Sequence, residues 1–356
     1  MPHRCGLHCL IPPHVLERIA LNGDDEQRQW ALQTLSMDHT LRAARLANAA
    51  AQVTPPQYVN VIAQAGTGEK RRTIYDCQGS EQLRQAKVVR GEGDGPTGDD
   101  AVNEAFDGLG DTYDFYYDAY ERDSIDNKGM ALNGYVHYGQ GYDNAFWDGQ
   151  EMVFGDGDGK IFVRFTVSID VIGHELTHGV TEKEVGLQYF GQSGALNESV
   201  SDVFGSMVKQ YAKKQTADQA DWLIGEGLLA PGIHGRALRD MVNPGTAYDD
   251  PVLGKDPQPA DMSGFVHTTQ DNGGVHLNSG IPNRAFALYA KALGGHSWEK
   301  AGLVWYQTIR DPRLRATAQF RTFARATLRN ARSLFPGNGD EITALQDAWK
   351  QVGVDV

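Results

Sequence analysis

The chain has 356 residues, with 33 Lys or Arg and 46 Asp or Glu, so its formal net charge is −13. A chain of this length is expected to form two domains. Apolar residues make up 40% and charged residues 22% of the sequence, which allows a packed core and excludes a disordered chain. The acidic charge argues against nucleic acid and anionic membranes as partners. No apolar run approaches the roughly 18 residues of a membrane span.

The three cysteines, Cys5, Cys9 and Cys77, do not form a disulfide framework, because their number is odd and two lie within nine residues of the N-terminus. The apolar run over residues 7–16 is broken by a histidine and two prolines, and no small-residue cleavage site follows it. The sequence therefore predicts either secretion without a recognisable Sec signal peptide or a cytoplasmic protein.

The first 50 residues differ in character from the remainder. Pro12 and the proline after it can open a short helix. A second helix is predicted from Asp24, with Gln27 as its capping-box partner. A Thr-Pro-Pro run at residues 54–56 is typical of a linker. We therefore assign residues 1–55 to a separate N-terminal segment.

The remaining chain changes from strands to helices. Short β-like runs occur at residues 72–75, 134–138 and 151–154, with a predicted helix over 99–120. This order predicts an α+β fold with two lobes, residues 56–193 and 194–356, and a cleft between them. The helices predicted after residue 168 are 169–182, 194–213, 281–293, 297–310, 315–331 and 339–351, and a long Gly/Pro/Asp loop covers 229–275.

The strongest chemical signal is the run from His174 to His178, which reads HELTH. Residues four apart share one face of a helix, so both imidazoles can bind one metal ion. Glu175 lies one residue away from this face and can reach a metal-bound water. Taken alone, the same pattern also fits two solvated histidines on a surface helix.

A third ligand makes the metal site the preferred interpretation. The Gly and His that a metzincin places after its second histidine are absent. Instead, Glu198 follows His174 by 24 residues on the next predicted helix and completes a His/His/Glu set. Asp202, one turn further on, can accept the free N–H of a ligand histidine, and Asn197 is a second candidate for this supporting role.

The segment from His174 to Gly205 resembles the zinc-binding helices of the thermolysin-like neutral metallopeptidases, a group of gluzincins. The resemblance extends over about residues 70–356. It implies a thermolysin-like α+β fold with a β-rich N-terminal lobe, a helical C-terminal lobe and one catalytic zinc ion in the cleft. The further matching blocks are residues 144–149 (NAFWDG), 155–159 (GDGDG) and 270–280 (QDNGGVHLNSG).

The resemblance also implies roles for individual residues. The zinc ion lowers the pKa of its water, Glu175 accepts the proton, and donors stabilise the oxyanion of the scissile carbonyl. Asn144 and the Ala145 backbone pair with the substrate strand, and Arg239 binds a substrate carbonyl. The zinc ligands are His174, His178 and Glu198, the oxyanion donors are His276 and Tyr189, and Asp271 orients His276.

The same resemblance assigns five apolar residues to the pocket for the residue after the scissile bond. The pocket predicts hydrolysis on the N-terminal side of Leu, Ile, Val or Phe. Any of the five could instead belong to the core. They are Phe162, Phe165, Val171, Ile224 and Leu238.

The calcium sites of the family are depleted in this sequence. Asp170, Asp221 and Glu226 remain at the double site, whereas Lys209 and Leu223 stand where the family pattern has acids. A lysine ammonium group can replace one divalent ion by charge pairing. We therefore expect at most one calcium ion at this place.

The short N-terminal segment, with residues 11–16 reading IPPHVL, resembles the pro-segments of the protealysin-like branch of the family. This resemblance implies a precursor whose pro-segment lies over or in the cleft and is removed by self-cleavage. Cys5 or Cys9 could cap the zinc ion until removal. The alternative is a mobile tail of reduced cysteines.

The sequence therefore predicts a secreted zinc metalloendopeptidase made as a zymogen. Its expected partners are peptide or protein substrates and its own pro-segment, and we expect a monomer. A zinc aminopeptidase is one alternative, but the Gly-Ala-Met-Glu-Asn type of stretch that holds a free amine is absent. A non-catalytic binding protein on a protease scaffold is another alternative. Such a protein would be expected to have lost Glu175 or a metal ligand, and neither has been lost in this sequence.

Overall fold

The computed structural model describes residues 8–50, 68–337 and 339–356. The predicted linker at 54–56 and the predicted boundary after residue 55 lie outside these residues. Within the described residues, no helix combines the length and the apolar character that crossing a bilayer requires.

Over residues 8–50, the N-terminal segment contains one short strand and two helices. They are β1 (His8–Cys9), α1 (Pro13–Asn22) and α2 (Asp25–Ala50). The predicted capping box is confirmed: the Gln27 amide N–H donates to Asp24 Oδ1 at 2.8 Å, and the Asp24 N–H donates to Gln27 Oε1 at 2.8 Å. Leu10 and Ile11, which follow β1, and the apolar side chains of α1 are buried in the same core as both lobes.

The N-terminal lobe is built on a mixed sheet that has six strands among the described residues, in the order β1-β5-β6-β4-β2-β3. The three predicted strands are confirmed, as is the long helix. Strand β3 was not predicted, because three of its five residues are exposed and only Arg90 is buried. Strand β5 lies in the block 144–149 that the family resemblance matched to a strand beside the substrate. The elements are β2 (Arg72–Asp76), β3 (Lys87–Gly91), α3 (Asp100–Tyr120), β4 (Leu132–Val136), β5 (Ala145–Trp147) and β6 (Glu151–Phe154).

Helices dominate the chain from residue 169 onward. The helix predicted over 315–331 begins only at Phe320, because the preceding residues form turns held by Asp311 and Arg315. The segment 229–275, predicted as a loop, contains three short strands and the first part of a helix. The elements are α4 (Ile169–Lys183), α5 (Gly191–Ala212), β7 (Leu223–Ile224), β8 (Arg239–Asp240), β9 (Asp249–Asp250), β10 (Gly254–Lys255), α6 (Asp271–Asn278), α7 (Gly280–Leu293), α8 (Ala301–Ile309), α9 (Phe320–Leu334) and α10 (Gly339–Gln351).

Helices α4 and α5 cross with their backbones in contact. A Cβ atom added at Gly205 would lie 2.4 Å from the carbonyl oxygen of Asp170 and 3.0 Å from the backbone nitrogen of His174. A Cβ added at Gly173 would lie 3.1 Å from the Gly205 Cα. Only glycine allows this approach, which brings the histidine face of α4 against the Glu198 face of α5.

Candidate active site

The three predicted ligands lie together in the interior. His174 and His178 on α4 and Glu198 on α5 form the one metal-binding group of His, Cys, Asp or Glu side chains found among the described residues. The two Nε2 atoms are 3.1 Å apart, and each lies 3.5 Å from a Glu198 carboxylate oxygen. Tetrahedral coordination with zinc–nitrogen bonds of about 2.1 Å separates ligand atoms by about 3.4 Å.

The other nitrogen of each histidine is held by a hydrogen-bond acceptor on α5. The Nδ1–H of His174 donates to Asp202 Oδ1 at 2.8 Å, and that of His178 to Asn197 Oδ1 at 2.8 Å. Ser201 Oγ, which the sequence did not single out, lies 3.0 Å from His178 Nδ1. These bonds leave the Nε2 atoms for a metal ion, and Glu198 Oε2 is buried and accepts no hydrogen bond from the part of the chain that the structure describes. The donor set therefore fits zinc.

Glu175 is fully buried beside this group. Its Oε2 accepts a hydrogen bond of 3.0 Å from the backbone N–H of Trp147 on β5, and its Oε1 accepts none from the described residues. Burial, followed by the nearby Glu198 carboxylate, raises the pKa of Glu175 well above its ordinary value. One carboxylate oxygen of Glu175 is therefore fixed by β5, and the other is available to a water molecule.

His276 and Tyr189 lie on the opposite side of the metal group. The Nδ1–H of His276 donates to Asp271 Oδ1 at 2.6 Å, and its Nε2 lies 3.2 Å from the Tyr189 hydroxyl, which donates to Glu198. Burial alone would lower the pKa of His276, but the Asp271 and Glu198 carboxylates raise it above its ordinary value. The imidazole is thereby kept as a donor.

The Asp271–His276 pair depends on an unusual turn. Four consecutive residues have positive φ angles, +49° at Asp271, +50° at Asn272, +84° at Gly273 and +74° at Gly274. Left-handed backbone is costly for residues with a Cβ atom, so this segment stores strain next to the site. The turn brings the backbone N–H of His276 to 2.9 Å from Asp271 Oδ2, which fixes the carboxylate.

Asp202 connects the metal group to Arg239. The guanidinium group donates to both carboxylate oxygens, at 2.8 Å and 2.7 Å. Asn283 on α7, which the sequence analysis missed, donates to Oδ2 at 2.7 Å. Burial would raise the pKa of Asp202, but Arg239 and His174 hold it below its usual range. Nothing in the local sequence around Asn283 identifies it, because its partner is 81 residues away.

The pro-segment lies along β5, which would be the edge strand of the sheet without β1. Strand β1 pairs antiparallel with β5, and the Leu10 N–H donates to the Ala145 carbonyl at 3.2 Å. The Ile11 N–H donates to Asn144 Oδ1 at 2.8 Å. The Cys9 carbonyl oxygen is 3.2 Å from His276 Nε2, and the Leu10 carbonyl oxygen is 3.5 Å from Arg239 Nη1. Residues 9–11 therefore contact the groups that the family resemblance assigns to substrate.

Helix α2 fastens the pro-segment to the same edge. The buried Asp38 carboxylate accepts hydrogen bonds from the Tyr142 hydroxyl at 2.6 Å and from the Asn144 amide at 3.0 Å. Burial raises the pKa of Asp38, and the Tyr142 hydrogen bond and the Arg42 charge oppose this rise.

The five predicted pocket residues are all buried. Phe162 and Leu238 line a small cavity together with Arg239, His276 and the pro-segment residue Val15. The rings of Phe162 and Phe165 have centroids 5.7 Å apart. Ile224 pairs with Arg239 across β7 and β8. Val171 belongs to the core of α4.

The structure differs from the expectation that Cys9 caps the metal. Its Sγ does not belong to the metal-binding group of the described residues, and its thiol instead faces Asp38 and Arg42. In an extended strand, neighbouring groups point in different directions, so the carbonyl of Cys9 rather than its thiol reaches the centre. Burial raises the pKa of this thiol well above its ordinary value. Cys5 lies outside the described residues.

A lysine ammonium group lies between the carboxylates of the depleted calcium site. Lys209 Nζ is 2.8 Å from Asp170 and 2.8 Å from Asp221, and it donates to the Leu223 carbonyl at 2.7 Å. Glu226 pairs instead with Lys213, at 3.6 Å. The charge pairing anticipated from the sequence is thus present in the structure.

Comparisons with known proteins agree with this site. A family model of the thermolysin metallopeptidase catalytic domain matches residues 57–182, one of the α-helical domain matches 185–354, and one of the protealysin propeptide matches 8–40. An extracellular metalloprotease of Pectobacterium carotovorum subsp. carotovorum is 55% identical over 347 residues, 98% of this chain and 96% of that protein.

Two further relatives cover almost the whole chain. Protease PrtS of a Photorhabdus strain is 48% identical over 98% of this chain and 92% of its own length. The solved structure of the protealysin precursor from Serratia proteamaculans has a TM-score of 0.87 and 55% identity, covering 98% of this chain and 99% of that one.

This chain belongs to the thermolysin family of zinc metallopeptidases. It is a metalloendopeptidase precursor that carries a protealysin-type propeptide, and its fold matches that of the protealysin precursor.

Proposed function

We propose that this precursor hydrolyses peptide bonds on the N-terminal side of apolar residues, with Glu175 as the general base. The observation that carries this proposal is the position of the pro-segment backbone: the Cys9 carbonyl lies at His276 and the Leu10 carbonyl at Arg239. A substrate bound in the same register would have its scissile carbonyl at the centre, followed by an apolar residue in the position of Leu10.

Each buried group of the site has a separate role in the proposed hydrolysis. A zinc ion held by His174, His178 and Glu198 supplies a Lewis acid and lowers the pKa of a water molecule. Glu175 accepts the proton of the attacking water and passes it to the leaving nitrogen as the C–N bond breaks. His276 and Tyr189 donate hydrogen bonds to the oxygen of the carbonyl under attack, with Asp271 orienting His276.

Substrate recognition uses the edge that the pro-segment covers. Asn144 and the Ala145 carbonyl bind the substrate backbone as an added strand, and Arg239 binds the next carbonyl oxygen. Asp202 holds Arg239 and His174 in one arrangement, which couples substrate recognition to the metal group. The apolar side chain after the scissile bond enters the pocket of Phe162 and Leu238.

The pro-segment is removed by the enzyme itself in this proposal. The support is that the segment occupies the substrate edge through β1 and through Asp38, so the mature cleft requires its departure. The boundaries 1–55, 56–193 and 194–356 remain proposals. Because close relatives are named extracellular proteases, we further propose secretion. We also propose a monomer, which a solution mass near the 39.0 kDa of one chain would support.

The test is intact mass over time for the purified full-length protein beside its Glu175→Ala copy. Loss of roughly the first 50 residues only in the chain with Glu175 is expected, with peptidase activity falling by about 10²–10⁴-fold in the variant. Equal cleavage of both chains would assign the cut to another protease. A zinc-loaded wild-type chain that is neither cut nor active on peptides would overturn the proposal.

A further inference from the structure

We propose that His14 makes the docking of the pro-segment acid-labile, so that acidification loosens the segment from the cleft and favours activation. This inference deepens the proposed function, because it concerns release of the segment that covers the proposed substrate edge. The His14 imidazole lies in the interface between α1 and the active site.

His14 is partly exposed, but one of its two ring nitrogens is buried without a hydrogen-bond partner among the described residues. Its Nδ1 atom has no exposed surface and no hydrogen bond to any described residue. The ring lines a small cavity between α1 and the catalytic lobes, opposite Phe162, Leu238 and Leu253. A charged group in such an apolar, unpaired position is costly, so the docked segment favours the neutral imidazole.

The helix itself opposes a positive charge at this position. His14 is the second residue of α1, after Pro13, and the first turn contains no acidic residue. The N-terminal end of a helix carries partial positive charge, which disfavours an imidazolium ion within the first turn. Water cannot reach Nδ1 to offset this effect in the docked segment, because that nitrogen is buried.

The charged groups around His14 act in both directions, and the largest single electrostatic effect, that of Asp271, favours the protonated form. Arg18 on the same helix, Arg239 on β8 and His276 on α6 all oppose protonation. Asp271 on α6 favours it, but this carboxylate is already committed to the ring and backbone N–H groups of His276. Two further ionisable residues line the cavity, Tyr248 and Asp256. The Asp256 carboxylate accepts the backbone N–H groups of Gly245, Ala247 and Gln258.

The direction of the pH effect follows from the two protonation equilibria. Burial, as the largest cause, lowers the pKa of His14 to about 4 in the docked segment. A solvated imidazole has a pKa of about 6.5, so the released segment binds a proton that the docked segment does not. Docking therefore keeps its full strength above pH 6.5 and weakens as the pH falls toward 4.

The experiment measures docking in the full chain without using peptidase activity. The Glu175→Ala chain prevents self-cleavage, and hydrogen exchange of the α1 backbone amides, corrected for the intrinsic pH dependence of exchange, reports how often α1 leaves the cleft. From the two pKa values, protection at pH 5.0 should be about 30-fold lower than at pH 7.5. Zinc content is measured at both pH values.

Two variants in the same background isolate His14. The His14→Gln chain stays neutral and should lose less than about 3-fold in protection over this range, whereas His39→Gln, at an exposed position of α2, should follow the parent. A fall in His14→Gln equal to that in the parent, or no fall in the parent, would overturn the proposal.

A direct titration covers the case in which His14→Gln fails to dock at pH 7.5. The imidazole resonances of His14 in the Glu175→Ala chain should then titrate below pH 5, and a midpoint near 6.5 would overturn the proposal. A wild-type chain without peptidase activity would contradict the proposed function but leave these results unchanged. The two failures are therefore distinguishable.

Discussion

Lys209 shows how one residue can change the ionic requirements of this fold. Its ammonium group lies between Asp170 and Asp221 and is almost fully buried. Burial alone would lower the pKa of Lys209, but the two carboxylates raise it above its ordinary value, so the charge is retained. The ammonium group of Lys209 thus occupies the place where the family pattern puts a divalent ion.

Replacement of Lys209 should therefore expose a hidden calcium dependence. In the Glu175→Ala background, Lys209→Met leaves Asp170 and Asp221 unpaired and should lower the free energy of unfolding by about 3–5 kcal/mol. Added calcium should restore part of this loss in Lys209→Met and have little effect on the parent. Urea titration with and without calcium measures both effects.

Lys213→Met is the matched control, because Lys213 forms an exposed pair with Glu226 at 3.6 Å. Its free energy of unfolding should change by less than about 1 kcal/mol. Equal stabilisation of parent and Lys209→Met by calcium would contradict this account of the site.

At the level of elements, the metal group depends on the crossing of α4 and α5. Each helix contributes ligands that its own spacing places on one face, but the separation of the two faces is set by Gly173 and Gly205. Backbone contact at this crossing leaves no room for a methyl group. The geometry of the three ligands is therefore a property of the pair of helices.

Gly205→Ala should separate the two helices. Its Cβ would lie 2.4 Å from the Asp170 carbonyl oxygen, and backbone atoms inside a helix cannot rotate away. We expect the free energy of unfolding to fall by about 1–3 kcal/mol, together with weaker zinc binding. Urea titration and chelator competition in the Glu175→Ala background measure these effects.

Gly98→Ala provides the comparison, because nothing lies within 4 Å of a Cβ at that position. Its stability and zinc affinity should stay close to those of the parent. Unchanged zinc affinity in a destabilised Gly205→Ala chain would show that the crossing does not set the ligand geometry.

The whole molecule combines three chain segments around one centre. The pro-segment supplies Leu10 and Ile11 to the same buried core as the two lobes, and its backbone covers the substrate edge. The ligand helices α4 and α5 join the two lobes at the metal group. A metal ion that binds only this arrangement must stabilise the folded chain as a unit.

Zinc should therefore raise the thermal stability of the chelator-treated Glu175→Ala chain. Each tenfold increase of free zinc above the dissociation constant adds about 1.4 kcal/mol to the free energy of unfolding, so the Tm should rise with the logarithm of zinc concentration. Differential scanning calorimetry measures the slope. Adding Glu198→Gln removes the anionic ligand and should move the onset of this rise to a higher zinc concentration, and an unchanged onset would contradict the assigned ligand set.

Much of the site could be predicted from the sequence because its information is local. The spacing of His174 and His178 places both on one helix face, and the Asp24–Gln27 capping box marks the start of α2. The lysine at position 209 indicated the changed calcium site. These features depend on residues within one or two helical turns or on a motif that stands intact in the chain.

Only the tertiary structure decided which groups meet across long stretches of chain. Asn283 reaches Asp202, and Asp38 reaches Asn144, over separations of 81 and 106 residues. Strand β1 has two residues, too few for a pattern, so its register alone directs the Cys9 carbonyl rather than the thiol toward His276. The sequence by itself determined the chemistry of the site, because ligand spacing on a helix is local. The tertiary packing decided how the pro-segment covers that site, because hydrogen bonds between segments far apart in the chain leave no local pattern in the sequence.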